Sequence, residues 1–153
     1  MIIRNAEEAD AFAFAELRWE FQYDAIHLSA MPKALFLKEC ATFFRNSLEQ
    51  KWVHWLVEIG NEIVAMVSIQ LIPTIPRPDK IGNYFGYLTN FYTKPAFRGK
   101  GIGQELLQTV QSWAVGQKLE LLIVWSSEEA VLLYKKSGFV ENPTLLEWLI
   151  TLA

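Results

Sequence analysis

Cysteine is nearly absent from this chain: Cys40 stands alone among 153 residues. That excludes an intramolecular disulfide and a cysteine-rich metal site, and it makes a reducing compartment, the cytoplasm, the expected one. A basic excess is missing too, since 14 Lys and Arg face 17 Asp and Glu for a net charge of -3 and an isoelectric point near 5.4. Nucleic acid and anionic membranes are recognised through dense basic patches, so neither is an expected partner. No apolar run approaches the roughly 18 residues of a membrane helix, and no charged segment followed by a long apolar stretch opens the sequence. Histidine is scarce, and His27 and His54 have no partners at ligand spacing, so no metal is expected.

Apolar residues make up 52% of the chain and aromatics 14%, a composition that supports one packed core and argues against disorder. At this length a single domain spanning residues 1–153 is expected, burying roughly two-thirds of its unfolded surface. There is no repeat, low-complexity tract or interdomain linker.

Ile2-Ile3-Arg4 reads as a short strand, and Asn5 with Glu8 three positions on resembles a helix capping box. Phe14, Leu17 and Phe21 then repeat at helical spacing, and a second helix is predicted from Pro32, with Phe36, Cys40, Phe43 and Ser47 on one side. Trp52–Glu58 and Glu62–Leu71 have strand character, joined by a Gly60-Asn61 hairpin turn, with Ile63, Ala65, Val67, Ile69 and Leu71 alternating onto one face. Pro73, Pro76 and Pro78 make a stiff loop, which could border a binding site, before the aromatic strand Tyr84–Thr93. A helix follows over about Gly101–Gln117, burying Ile102, Leu106, Val110 and Trp113, then a strand at Leu119–Trp125 and a short helix at Glu128–Lys136. After Ser137-Gly138, Phe139–Glu141 and Leu145–Leu152 are predicted to form a terminal hairpin.

The most informative stretch is Arg98-Gly99-Lys100-Gly101-Ile102-Gly103, between a strand and a helix. Glycines there let an anion approach the backbone, helix-start amides can bind it, and Arg98 and Lys100 add local charge that the net charge conceals. A glycine pair alone can be a simple connecting turn. The spacing is neither G-x-G-x-x-G nor G-x-x-x-x-G-K-[ST], so neither a dinucleotide site nor a nucleoside-triphosphate loop is supported.

Arg98-x-x-Gly101-x-Gly103 resembles the pyrophosphate-binding R/Q-x-x-G-x-G/A motif of the Gcn5-related N-acetyltransferase (GNAT) family. Asn90–Phe97 resembles that family's splayed central strand, and Ala130-Val131-Leu132-Leu133-Tyr134-Lys135-Lys136-Ser137-Gly138-Phe139 resembles its A-x-x-L-Y-x-x-x-G-F segment. The resemblance implies an α/β (α+β) fold: a central mixed, mostly antiparallel twisted sheet flanked by about four helices, with a splayed central strand at the cofactor site. It implies acetyl-coenzyme A as cosubstrate, held by Phe91, Tyr92, Thr93, Arg98, Gly99, Lys100, Gly101, Ile102, Gly103 and Ser127. Ser127 falls where many relatives carry an asparagine that contacts the pantetheine arm. The first seventy residues match only in the order of elements, and that half usually carries substrate identity.

By the same resemblance Tyr134 is the expected general acid for the departing thiolate, a role compatible with a phenol pKa near ~10. Without that motif Tyr134 is one aromatic on an amphipathic helix, a residue that ordinarily packs in a core. The family's catalytic glutamates do not carry over, since their positions hold Tyr87 and Leu122. An amine with a pKa near 10.4 is neutral in only about one molecule in 2,500 at pH 7, so water, desolvation or another carboxylate must assist deprotonation. Glu16, Glu20 and Asp24 can attract a cationic acceptor if they face the cleft, although i,i+4 carboxylates more often form a solvated face. Trp19, Trp55 and Trp125 are candidates for an apolar acceptor pocket or, more commonly, core. The expected activity is acetyl transfer to a primary amine, most simply of a small molecule. Protein or peptide amines, and a noncatalytic acyl-CoA-binding regulatory module, remain as alternatives, and a homodimer is compatible with all of them.

Overall fold

The computed structural model describes residues 1–25 and 31–150, without the side chains of 23–25. Five strands, β1 (Ile2–Asn5), β2 (Trp52–Ile59), β3 (Glu62–Pro73), β4 (Tyr84–Thr93) and β5 (Leu122–Val124), form one sheet in the order β1-β2-β3-β4-β5. The first four pair antiparallel and β5 runs parallel to β4. Helices α1 (Ala11–Ala25) and α2 (Lys33–Ser47) precede β2, α3 (Ile102–Gly116) bridges β4 and β5, and α4 (Val131–Lys136) follows. This is the mixed, mostly antiparallel α/β architecture expected. No helix among the described residues is long and apolar enough to cross a membrane.

Each face of the sheet has its own core. On one, Phe14 and Leu17 of α1 and Ala41 and Phe44 of α2 pack against Leu56, Met66 and Tyr92. On the other, Ile102, Leu106, Leu107 and Val110 of α3 and Tyr134 of α4 cover Val57, Ala65, Val67, Ile69 and Leu88. Full burial of each Leu or Ile side chain contributes about 1.5–3 kcal/mol, so the opposed helices hold β2–β4 rigidly from both sides.

Several sequence expectations shift in detail. Asn5 pairs with Trp55 inside β1, and the turn into α1 is closed instead by Asp10. Its carboxylate accepts the Glu7 N–H at 2.7 Å and both Arg4 Nη groups at 2.8 Å. Ser47 of the predicted α2 stripe is buried, but the other buried residues are Ala41 and Phe44, one position round from Cys40 and Phe43, leaving Phe43 exposed. The Gly60-Asn61 hairpin forms, with Ile59 opposite Glu62, but a bulge at Val64 turns Ile63 onto the α1–α2 face, away from Ala65, Val67 and Ile69. The proline loop lies at the N-terminal end of β4, where Arg77 and Lys80 approach Glu120. It lines neither cavity on the sheet faces described below.

Two expectations at the end of the chain need correction. The strand over Leu119–Trp125 is reduced to Leu122–Val124, because the chain is still leaving α3 at Lys118 (φ +57°) and Leu119 N–H is taken by Ala114 O. The terminal hairpin does not form among the described residues, where Phe139–Glu141 and residues 145–150 carry no strand. Asn142 Oδ1 accepts both the N–H and the hydroxyl of Thr144, and Pro143 offers no N–H to a ladder. The local turn therefore prevails over pairing.

Candidate functional site

Tyr84–Thr93 pairs with β3 along its length, yet its ladder with β5 covers only Gly86–Leu88 against Leu122–Val124. Beyond Leu88 the two parallel strands diverge, which is the splay expected of the central strand. A bulge falls at the same point: Ser68 pairs with Thr89 and Met66 with Tyr92, so β4 carries one residue more than β3. Asn90 absorbs it at φ +54°, a region in which asparagine is enriched among non-glycine residues. The bulge puts Thr89 and Asn90 on the same face, and alternation resumes after them. Phe91 packs with the α3 core, whereas Tyr92 stacks on Phe21 at 5.3 Å on the α1 side.

After β4, a short 3-10 turn at Pro95–Phe97 reverses the chain into Arg98–Gly103. Gly99 and Gly101 adopt φ +73° and +80°, accessible to glycine at no steric cost. The first bond of α3 runs from Glu105 N–H to Gly101 O, so the amides of Ile102, Gly103 and Gln104 have no intrahelical acceptor. They open with Phe91, Thr93, Phe97, Arg98, Gly99, Gly101 and Leu133 on a cavity of about 260 Å³. At Gly103 a Cβ would stand 3.3 Å from the Phe91 ring, so the missing side chain lets α3 sit close to β4. Arg98 Nε donates to Thr93 O at 2.9 Å and Lys100 Nζ to Ala96 O at 3.1 Å. Neither cation is paired with a carboxylate among the described residues. Helix-start amides, left-handed glycines and two such cations are the features of an anion site.

The structure thus brings Phe91, Thr93, Arg98, Gly99, Gly101, Ile102 and Gly103 around one cavity. Lys100 lies on the loop just outside it. Tyr92 has its ring buried on the opposite face, so only its backbone can meet a ligand from this side. Ser127 lies on the exposed turn between β5 and α4, its carbonyl accepting Ala130 N–H.

Tyr134 is buried, with the Phe91 ring 5.8 Å and the Phe139 ring 5.3 Å away. Burial pushes its phenol well above the usual range, so it keeps its proton throughout neutral pH. It lines a cavity of about 400 Å³ between β5, α4 and residues 139–145, while its neighbours Phe91 and Leu133 reach the 260 Å³ cavity.

On the α1–α2 face, next to the bulge, is a cavity of about 230 Å³ lined by Phe14, Arg18, Cys40, Phe43, Trp52, His54, Ser68, Tyr87, Thr89 and Asn90. One hydrogen-bond chain runs along its floor. Ser47 hydroxyl donates to Phe44 O at 2.6 Å, so His54 Nε2–H must donate to Ser47 Oγ at 2.7 Å. His54 Nδ1 then accepts from Ser68 hydroxyl at 2.8 Å, and Ser68 Oγ accepts from Asn90 Nδ2 at 3.3 Å. Asn90 Oδ1 is left facing Arg18 Nη1 at 3.0 Å. Burial lowers the His54 pKa to about 4, which fits a neutral ring with both nitrogens engaged and the structural role expected for it. Burial likewise raises the Cys40 thiol.

The remaining acceptor candidates separate. Glu16 pairs with Lys33 at 2.8 Å, Glu20 lines neither cavity on the sheet faces, and the Asp24 side chain and His27 lie outside the described residues. Trp19 packs on Phe36, Trp55 on Trp113 on the α3 face, and Trp125 on Tyr87, so the three tryptophans do not form one pocket. Arg18, Asn90 and Gln104 were not singled out from the sequence. For Asn90 the available signal was an asparagine inside an aromatic strand, and for Gln104 its place in the first turn of α3.

Residues 12–139 match the model of the acetyltransferase (GNAT) family, and the chain belongs to that family. Among curated proteins it is 29% identical over 116 residues to an aminoglycoside N(6')-acetyltransferase type 1 of Stenotrophomonas maltophilia, covering 72% of this chain and 65% of that protein. It therefore spans just under two-thirds of this relative's length. A predicted acetyltransferase from Clostridium acetobutylicum, solved with acetyl-CoA, superposes with a TM-score of 0.80 at 27% identity, over 96% of this chain and 94% of that one. A GCN5-related N-acetyltransferase from Ralstonia eutropha gives 0.77 at 19% identity, over 97% of each chain, and shares the fold.

Proposed function

We propose that the chain binds acetyl-coenzyme A along the β4–α3 cleft and transfers the acetyl group to the primary amine of a small molecule. The observation that carries this reading is the Arg98–Gly103 turn, whose positive-φ glycines open onto the free amides of α3. A diphosphate at the turn meets the helix dipole and two available cations. From there the cofactor's arm runs past Thr93 and Phe91 toward the β4–β5 splay, where unpaired strand edges offer backbone groups to a pantetheine. Ser127, at the far side of the splay, supplies a hydroxyl to that arm.

In the reaction the amine lone pair forms the C–N bond at the thioester carbon, the C–S bond breaks, and coenzyme A leaves as thiolate. One proton passes from the nitrogen to water, and one reaches the sulfur. Tyr134 is the proposed donor of the second. Its raised pKa keeps the phenol protonated at neutral pH. A thiol pKa of ~8.5 makes the thiolate the weaker base, so complete transfer runs uphill and is drawn forward by the proton that water, having taken it from the amine, returns to the tyrosinate. With glutamate missing at both family positions, ordered water is the first base. The cytoplasm, where acetyl-coenzyme A is made and thiols stay reduced, is the compartment that a lone Cys40 suits.

Two measurements test the reading. Titration of the folded, ligand-free protein with acetyl-CoA by calorimetry should give saturable binding below millimolar concentration, and absence of heat at that level would count decisively against it. A thiol-release screen across amines should then find turnover with acetylated product. Binding without turnover on both small amines and peptides would favour a noncatalytic module instead.

A further inference from the structure

Among the described residues, the 230 Å³ cavity beside the bulge contains a charge without a counter-charge. Arg18 projects from α1 into a space walled by Phe14, Phe43 and Trp52, and no carboxylate lines that space among the described residues. Among the described residues its guanidinium meets neutral groups only: Asn90 Oδ1 at 3.0 Å, and the Gln22 amide oxygen at 3.1 and 3.2 Å when that amide is turned to present it. The Phe21 ring lies 5.4 Å from its central carbon. Five N–H donors on a guanidinium exceed what these acceptors can take. Half-buried, it is desolvated enough for its pKa to fall below the ordinary guanidinium range, yet an arginine does not discharge in a protein. A desolvated cation facing a cavity without an anion is costly unless a ligand supplies one.

The arginine is also held in place. The chain Ser47–His54–Ser68–Asn90 fixes the Asn90 amide with its oxygen toward Arg18, so the guanidinium is oriented from the buried core. Asn90 is the bulge residue, adjacent in sequence to Phe91, which borders the proposed cofactor path on the other face. A group on Arg18 therefore lies within a side chain's length of the splay.

We infer that the acceptor amine carries an anionic group, a carboxylate or phosphate a few bonds from its nitrogen, and that Arg18 binds that group while Phe14, Phe43 and Trp52 take the apolar body. This rests on the acetyl-transfer reading above and names its substrate class. The cavity is smaller than the roughly 300–1,000 Å³ that houses a drug-sized ligand, so the acceptor is small. A polycationic aminoglycoside, the substrate class in the name of the Stenotrophomonas relative, is disfavoured here on both size and charge.

The test uses matched acceptors with the full chain and acetyl-CoA: phenylalanine against phenethylamine, O-phosphoethanolamine against ethanolamine, and kanamycin as the polycation. A charge-assisted, bidentate contact predicts that wild type turns over at least one acceptor bearing an anion with kcat/KM of order 10²-fold above its twin without that anion. The pair that shows the preference decides between carboxylate and phosphate. In Arg18→Gln the preference should collapse to within about threefold, and in Arg18→Lys, which keeps the charge, part of it should return. Acetyl-CoA affinity, measured separately by calorimetry, should be the same in all three. Preference of wild type for the amines without an anionic group or for kanamycin, or an anionic preference that survives Arg18→Gln, would overturn the inference. Loss of acetyl-CoA binding by wild type would instead sink the underlying acetyl-transfer reading.

Discussion

Gly101 is the residue whose replacement separates fold from function most cleanly. It sits at φ +80°, and an added Cβ would meet nothing within 4 Å. Gly101→Val therefore costs backbone strain without a clash at Cβ in the unliganded protein. Such strain amounts to about 1–3 kcal/mol, which for a domain of this size lowers Tm by about 3–10 °C. The open space before Gly101 is where a diphosphate would lie, so a valine there should raise the Kd for acetyl-CoA by at least ~10-fold through crowding and a displaced amide. An internal control exists. Gly60 has φ +64° and equally open surroundings, but it lies at the β2–β3 hairpin, so Gly60→Val should lose comparable stability and bind acetyl-CoA normally. Calorimetric titration and thermal melts of both variants make the comparison. If Gly101→Val stays folded with the expected loss in Tm and binds as tightly as wild type, the diphosphate is not at this turn.

Tyr134→Phe keeps the ring that packs on Phe91 and Phe139 and should leave Tm and cofactor affinity nearly unchanged. The acetyl-transfer rate should fall ~10²-fold under conditions where chemistry limits it, and an unchanged rate would remove Tyr134 from the mechanism. His54, neutral in the fold with a pKa of about 4 against 6.5 unfolded, makes the unfolded chain the greater binder of protons between those values. Stability should therefore be full above pH 6.5 and decline by roughly 3 kcal/mol as pH falls to 4. Urea melts of His54→Gln, less stable at pH 7 for want of its serine bonds, should show a much flatter slope over that window. A slope equal to wild type would place the pH dependence elsewhere.

The parts of this molecule governed by local chain chemistry were legible before any coordinates. The 3.6-residue period of Ile102, Leu106 and Val110 marked α3, and Gly60-Asn61 marked its hairpin. The glycines of Arg98–Gly103 marked a turn that only permissive residues can make. What depends on distant partners was not legible. Whether residues 145–150 pair with anything is decided by neighbours the pattern does not name, and Pro143 with its preceding Asn142 cap tipped them away from a hairpin. Arg18 reads in sequence as one more charge between Glu16 and Glu20. Only the fold reveals that it points over the sheet while Glu16 turns outward to Lys33.

The extra residue in β4 places two consecutive side chains on one face. Thr89 and Asn90 both line the Arg18 cavity, and alternation resumes beyond them with Phe91 toward α3 and Tyr92 toward α1. Deleting Asn90 would let Phe91 stand opposite Val67 and leave Phe91 and Tyr92 on the faces they occupy now. The α3 side of the strand would keep its register, while the Arg18 cavity would lose the amide that faces the guanidinium. A change of length at this one position therefore bears first on the α1–α2 face, so that one face of β4 can be remodelled while the other is kept.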